Sequence, residues 1–187
     1  TFFFHQMYLE SLESKKNKFP KKFLYVGRYA KEKNIELLWK AFAELQAEIP
    51  NEWELWCLGL GDVKPEPHPK IKHFGFVQQQ EIGKYIADTG VFVLPSKFEP
   101  WGVVVHEFAT AGFPLLCSNK IGSTEVFLEN NRNGYVFEND SKESMKNYLK
   151  KFMNHSDEHL FEMCKESTRL SAKINLDQWA DSVYSLM

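Results

Sequence analysis

Lys97-Phe98-Glu99-Pro100-Trp101-Gly102-Val103-Val104-Val105-His106-Glu107-Phe108-Ala109-Thr110-Ala111-Gly112 decides the reading of this 187-residue chain. It follows an apolar run, Val91-Phe92-Val93-Leu94, that reads as a buried strand, and a Pro95-Ser96 break. A helix is expected to open at Gly102. Glu99 and Glu107 stand eight positions apart, one in the loop before that helix and one about a turn inside it. A helix N-terminus presents free backbone N–H groups and partial positive charge, so it can hold a phosphate. Carboxylates flanking such a site can accept hydrogen bonds from sugar hydroxyls, a ribose included. Phosphate donors and sugar acceptors in one place point to a nucleotide-sugar.

Working outward, Phe23-Leu24-Tyr25-Val26 reads as a first strand ending at Gly27. Ile35, Leu38, Phe42, Leu45 and Ile49 recur at three- and four-residue steps, predicting an amphipathic helix stopped by Pro50. Further strand-like runs fall at Trp53–Leu58, Ile71–Phe76, Val91–Leu94, Pro114–Cys117 and Tyr135–Phe137. Helical segments lie near Gln80–Ala87, Gly102–Ala111 and Ser123–Leu128. The alternation predicts an α/β fold with a doubly wound, mostly parallel sheet and helices on both faces. Such sheets bind ligands beyond the carboxyl ends of their strands. Arg28, Gly59 to Gly61, Phe76 and Glu99 all lie just after predicted strands and can converge on one edge. The tail is helical: Asp140-Ser141 with Glu143 caps one helix, Leu160, Met163, Ser167, Leu170 and Ile174 keep helical spacing, and a last helix carries Trp179, Val183 and Met187. Residues 1–22, with Phe2, Phe3, Phe4, Met7 and Tyr8 before a Lys-rich run, read as a linker or N-terminal extension.

A formal charge of −2 offers no electrostatic case for nucleic acid as partner. Cys57, Cys117 and Cys164 are odd in number and widely spaced, which fits reduced, buried thiols and a cytoplasmic protein. Asp62 and His73 form no metal-ligand spacing. No run approaches the roughly 18 apolar residues of a membrane span.

The Glu99-to-Glu107 segment resembles the Glu-x7-Glu signature of the retaining glycosyltransferases of family 4, the group 1 transferases, which adopt the two-domain GT-B fold. Val26-Gly27-Arg28 with Lys33 resembles the family's Gly-Arg…Lys segment, and Leu58-Gly59-Leu60-Gly61 its Gly-x-Gly loop. His73-Phe74-Gly75-Phe76-Val77 is similar to the next strand and turn, and Asn133-Gly134-Tyr135-Val136-Phe137 to the Asn-Gly segment near the end. The landmarks come in the family's order over residues 23 to 140. The likeness covers only the carboxyl-terminal, Rossmann-like half of such an enzyme. Residues 23–187, helical tail included, are therefore expected to be a donor-binding domain, with the N-terminal acceptor domain missing.

The resemblance implies a site. Glu99 would accept hydrogen bonds from the transferred sugar, although a loop Glu also complements a helix dipole for about 0.3–1 kcal/mol. Glu107 would hold the donor's ribose; the plainer alternative is a solvated helix residue. Arg28 and Lys33 would clamp the diphosphate and lower the barrier as negative charge develops on it. Lys33 also belongs to a charged run, Lys31-Glu32-Lys33, that can be merely solvated. The family usually carries Gly after this Lys, and here Asn34 stands there. Gly102, Val103 and Val104 would offer backbone N–H groups to the diphosphate. Phe76 and Val77 would neighbour the nucleobase, or simply pack in the core. Trp101 covers the sugar or fills a loop. His106 reads as a packed, hydrogen-bonded histidine and not as a general acid.

The expectation is thus the donor-binding half of a retaining glycosyltransferase, with a nucleotide-sugar as donor substrate and a saccharide or lipid-linked acceptor. Neither metal nor other cofactor is expected. Localisation would be cytoplasmic, with peripheral membrane contact coming through the missing domain. The alternatives are a non-catalytic nucleotide-sugar-binding module and another GT-B enzyme such as a nucleotide-sugar epimerase. A flavodoxin-like receiver would need an acidic cluster after the first strand, where Gly27-Arg28 stands instead.

Overall fold

A computed structural model describes residues 2–173. Its six strands are β1 (Lys22–Val26), β2 (Glu54–Leu58), β3 (Ile71–His73), β4 (Val91–Leu94), β5 (Leu115–Ser118) and β6 (Gly134–Phe137). They form one sheet in the order β3-β2-β1-β4-β5-β6, every pair parallel. The sheet is wholly parallel where the sequence predicts a mostly parallel one. β4 and β5 are buried at every residue, because a parallel strand covered on both faces has no polar side to show.

Among the described residues the seven α-helices are α1 (Phe2–Asn17), α2 (Ile35–Glu48), α3 (Ile82–Asp88), α4 (Val103–Thr110), α5 (Thr124–Phe127), α6 (Lys142–Met153) and α7 (Asp157–Ser171). α2 and α6 pack together over one face, where Phe23 meets Phe42 and Phe152. α1, α4 and α7 pack together over the other, where Phe92 stacks on Phe108 with ring centroids 4.2 Å apart. Phe23 and Leu24, the latter paired with Phe92, alternate between the two faces as strand geometry requires. Chain order runs outward from β1 through β2 to β3, then returns to β4 beside β1. The loops after β1 and β4 therefore part company at the sheet's centre, which creates a crevice at its carboxyl edge.

Three local differences from the sequence reading have physical causes. Within residues 1–22, Phe2–Asn17 is helix α1, packed on the sheet's helical layer. Its buried stripe is Phe4, Tyr8, Ser11 and Lys15, half of it polar, so the apolar periodicity is hidden. β3 stops at His73, short of the expected Phe76, because Gly75 turns the chain at φ 71°. Ser141 alone caps α6, accepting a bond from the Ser144 N–H, while Asp140 takes a left-handed conformation and bonds elsewhere. The three cysteines are buried and free, and burial pushes the Cys57 and Cys164 thiols up to about 12. Ile174 and the expected Trp179-to-Met187 helix lie outside the described residues.

Candidate functional site

The loop after β1 is built by close backbone approach. Gly27 N–H donates to the Leu58 carbonyl at 3.0 Å and Tyr29 N–H to that of Leu60 at 2.9 Å, so β1 and β2 stay zipped beyond their ends. A Cβ on Gly59 would lie 1.9 Å from the Gly27 oxygen, and one on Gly61 2.1 Å from the Tyr29 oxygen. Only glycine fits either position, which is the physical content of the Gly-x-Gly pattern. The buried Tyr25 hydroxyl donates to the Arg28 carbonyl at 2.8 Å and pins the turn. Arg28 extends into solvent, where its guanidinium pairs with Glu32.

Arg28 borders a largely apolar cleft of about 490 Å³ whose other walls include Gly27, Gly59, Leu60, Phe76 and Val77. Phe76 is 69% exposed there, so it is not core packing, whereas Val77 packs partly against the core.

Lys33 and Glu99 meet. Lys33 Nζ donates to Glu99 Oε1, and the Ser96 hydroxyl donates to the same oxygen at 2.9 Å. The side chains are 26% and 16% exposed, so Lys33 is no solvated run residue. Glu99 is also held by its main chain, donating to the Lys120 carbonyl at 2.9 Å and accepting from Gly122 N–H at 3.1 Å. Asn34 adopts φ 55°, ψ 28°, the left-handed conformation that a glycine would supply and that asparagine tolerates. The turn after Lys33 is thus one that glycine could also form.

Gly102 precedes α4 at φ 85°, and a Cβ there would lie 2.9 Å from Ile121 Cγ2. The first intrahelical bond starts at Val105 N–H, so those of Val103 and Val104 have no acceptor within the helix. Glu107 sits one turn further on, half-buried, and burial raises its pKa above the ordinary carboxylate value. A solvated surface glutamate would show no such shift.

Among the described residues the structure brings Lys33 to Glu99 and Arg28 to Phe76 and Val77, while Glu107 makes no hydrogen bond or ion pair with any of them. Trp101 lies edge-on to Phe127, partly exposed. His106 stacks on Phe127 with centroids 4.2 Å apart, and its Nε2–H donates to the Ser171 carbonyl at 3.1 Å. Burial holds its pKa below the usual histidine value. It is packed, as the sequence predicts. Sequence reasoning missed Ser96, which it treats only as a break after β4. The residue is fully buried, and Ser118 Oγ holds its carbonyl at 2.5 Å. Among these residues there is no group of three or more His, Cys, Asp or Glu able to hold a metal.

The sheet and its flanking helices are those of the C-terminal half of a GT-B glycosyltransferase. The C-terminal domain of a glycosyl transferase group 1 family protein (LpcC) from Francisella tularensis superposes with TM-score 0.68 at 16% identity, covering 90% of this chain and 91% of that one. Anabaena HepE, solved in complex with UDP and glucose, gives TM-score 0.74 at 14% identity over 97% of this chain and 54% of its own. The family model described as glycosyl transferases group 1 matches residues 10–171, and the chain belongs to that family. Alpha-monoglucosyldiacylglycerol synthase of Acholeplasma laidlawii is 30% identical over 135 residues, 67% of this chain and 33% of that protein. The chain spans 29–35% of the length of the first curated relatives it matches. No described helix is long and apolar enough to cross a membrane.

Proposed function

We propose that this chain is the donor-binding half of a retaining glycosyltransferase that moves a sugar from a nucleotide-diphosphate sugar to a saccharide or lipid-linked acceptor. The observation that carries the reading is the Lys33–Glu99 pair at the sheet's carboxyl edge, in the same crevice as Gly102 and the α4 N-terminus. One group suits a departing phosphate and the other a sugar hydroxyl. The adjacent cleft, with Arg28 at its mouth and Phe76 along its wall, suits a nucleobase continuing into a diphosphate.

As the glycosidic bond lengthens, positive charge grows on the sugar and negative charge on the diphosphate. Arg28 and Lys33 meet the growing negative charge, Arg28 through its planar fork and Lys33 as a point charge. The N–H groups of Val103 and Val104 add fixed dipoles that need no reorganisation during the reaction. Glu99 accepts hydrogen bonds from sugar hydroxyls and thereby orients the anomeric carbon, and Glu107 holds the ribose. No catalytic metal is invoked, because the two cations take that role. Acceptor recognition falls to the N-terminal half, and peripheral membrane contact would come through it.

Calorimetry with a panel of nucleotide-sugars, nucleoside diphosphates and nucleosides tests the reading. Nucleoside diphosphates are expected to bind well above nucleosides, and one nucleotide-sugar above its own diphosphate. Absence of any diphosphate-dependent binding would refute it. Release of nucleoside diphosphate by the full-length protein, only when acceptor is present, separates a transferase from a sensor or an epimerase.

A further inference from the structure

Two non-glycine residues at this edge occupy the left-handed region and bond to each other. Asn34 and Asp140 both have φ 55°, and Asn34 Nδ2 donates to Asp140 Oδ1 at 3.1 Å. The same Asp140 oxygen receives Lys97 Nζ at 3.1 Å. Lys97 in turn donates its N–H to the Glu32 carbonyl at 2.9 Å, and its own carbonyl accepts from Asn139 Nδ2 at 3.4 Å. The loops after β1, β4 and β6 are thereby stitched into one ring.

The ring's position in the chain is informative. Asn34 directly follows Lys33, and Lys97 lies two residues before Glu99. The turn itself does not need the Asn34 amide, since glycine reaches this conformation more easily. An asparagine that is only 8% exposed, and an aspartate that accepts left-handed strain to meet it, therefore serve something beyond the turn. We propose that Asn34 and Asp140 are positioning residues forming a latch, which holds the Lys33 loop against the Glu99 loop and sets the spacing between ammonium and carboxylate. The latch acts through Lys33 and touches no ligand. This inference rests on the reading of Lys33 and Glu99 as diphosphate and sugar contacts.

Three variants of the 187-residue chain test it: Asn34→Gly, Asp140→Gly and Asp140→Asn. The glycine variants keep the backbone conformation and delete the bond, while Asp140→Asn retains an oxygen acceptor for the Asn34 amide. Two readouts are needed. The first is the rate at which acetic anhydride acylates Lys33, normalised to Lys31 and followed by peptide mass spectrometry. It should rise about 3- to 10-fold in both glycine variants, the range for one lost hydrogen bond, and stay near wild type in Asp140→Asn. The second is nucleoside diphosphate affinity by calorimetry. It should fall by about the same factor in Asn34→Gly and at least as far in Asp140→Gly, which also frees Lys97. It should fall no further in the double variant than in Asp140→Gly alone, because the Asn34 bond is already broken there.

Unchanged Lys33 acylation in both glycine variants overturns the latch. So does additive loss in the double variant, or unchanged affinity in the variants when the wild type binds. If the wild type binds no nucleoside diphosphate while acylation rises as expected, the donor-site reading fails and the latch on Lys33 stands.

Discussion

The Lys33 ammonium and the Glu99 carboxylate, 66 residues apart in the chain, share an ion pair in which each charge is the other's partner. Neither group is left uncompensated at its half-buried position, which would otherwise be costly. On the proposed reading, a diphosphate would compete with Glu99 for Lys33, and sugar hydroxyls would take over on Glu99. Glu99→Gln removes the competitor. It is expected to leave nucleoside diphosphate affinity unchanged or improved by up to about threefold, and to abolish the extra affinity of the nucleotide-sugar. Parallel calorimetry of the two ligands decides. A large loss of diphosphate affinity would make Glu99 a support for Lys33 and not a sugar contact.

Arg28→Ala should weaken nucleoside diphosphate binding by about 1.5–3 kcal/mol, the range for hydrogen bonds to charged groups. Binding of the bare nucleoside should barely change, because Gly59, Phe76 and Val77 are untouched. Equal weakening of both ligands in the same titrations would make Arg28 structural.

Gly102→Ala places a methyl group 2.9 Å from Ile121 Cγ2 on a backbone at φ 85°. The combined strain should cost roughly 1–3 kcal/mol of stability. Thermal denaturation reads the loss. Diphosphate affinity should also fall more than nucleoside affinity, since the displaced turn carries the first N–H groups of α4. An unchanged melting temperature would count against the close contact.

Lys15 is a liability of the fold. Its amine is buried 3.8 Å over the Phe113 ring, has no hydrogen-bond partner among the described residues, and burial lowers its pKa to about 8. Between that value and the ordinary lysine range the unfolded chain binds more protons than the folded one. Stability therefore rises with pH through this window and carries the full penalty below it. Lys15→Met should raise stability at pH 7 by about 3 kcal/mol at most, read as a higher melting temperature. The advantage should shrink toward pH 10. Melting curves at both pH values check the sign, and a variant less stable at pH 7 would contradict it.

This chain alone should bind nucleoside diphosphate and transfer nothing, because acceptor recognition is proposed to lie outside it. Sugar transfer to any added acceptor by the 187-residue chain, followed with labelled donor, would overturn that expectation.

Much of the architecture was legible because it follows from near neighbours. Val91 to Leu94 is continuously apolar, as a strand covered on both faces must be, and Ile35 through Leu45 carries the period of a helix with one wet side. Gly59, Gly61 and Gly102 stand where no Cβ fits, so the backbone announces its own turns. Glu99 and Glu107 were legible as candidates from their place around a helix start, before any partner was known.

What tertiary structure decided is which distant groups meet. Helix α1 escaped local reading because Ser11 and Lys15 sit on its buried stripe, and only the surfaces of α3, α4 and α7 packed against the helix make it part of the interior. Lys33 meets Glu99 because the return of β4 to the side of β1 makes neighbours of two loops the chain keeps far apart. Asp140 reaches Asn34 across 106 residues for a similar reason, and Arg28 turns instead to Glu32 within its own loop. Periodicity and backbone sterics, set by adjacent residues, determined the elements by themselves. Partnership between charges depends on strand order, which no local pattern encodes, so only the folded sheet could settle it.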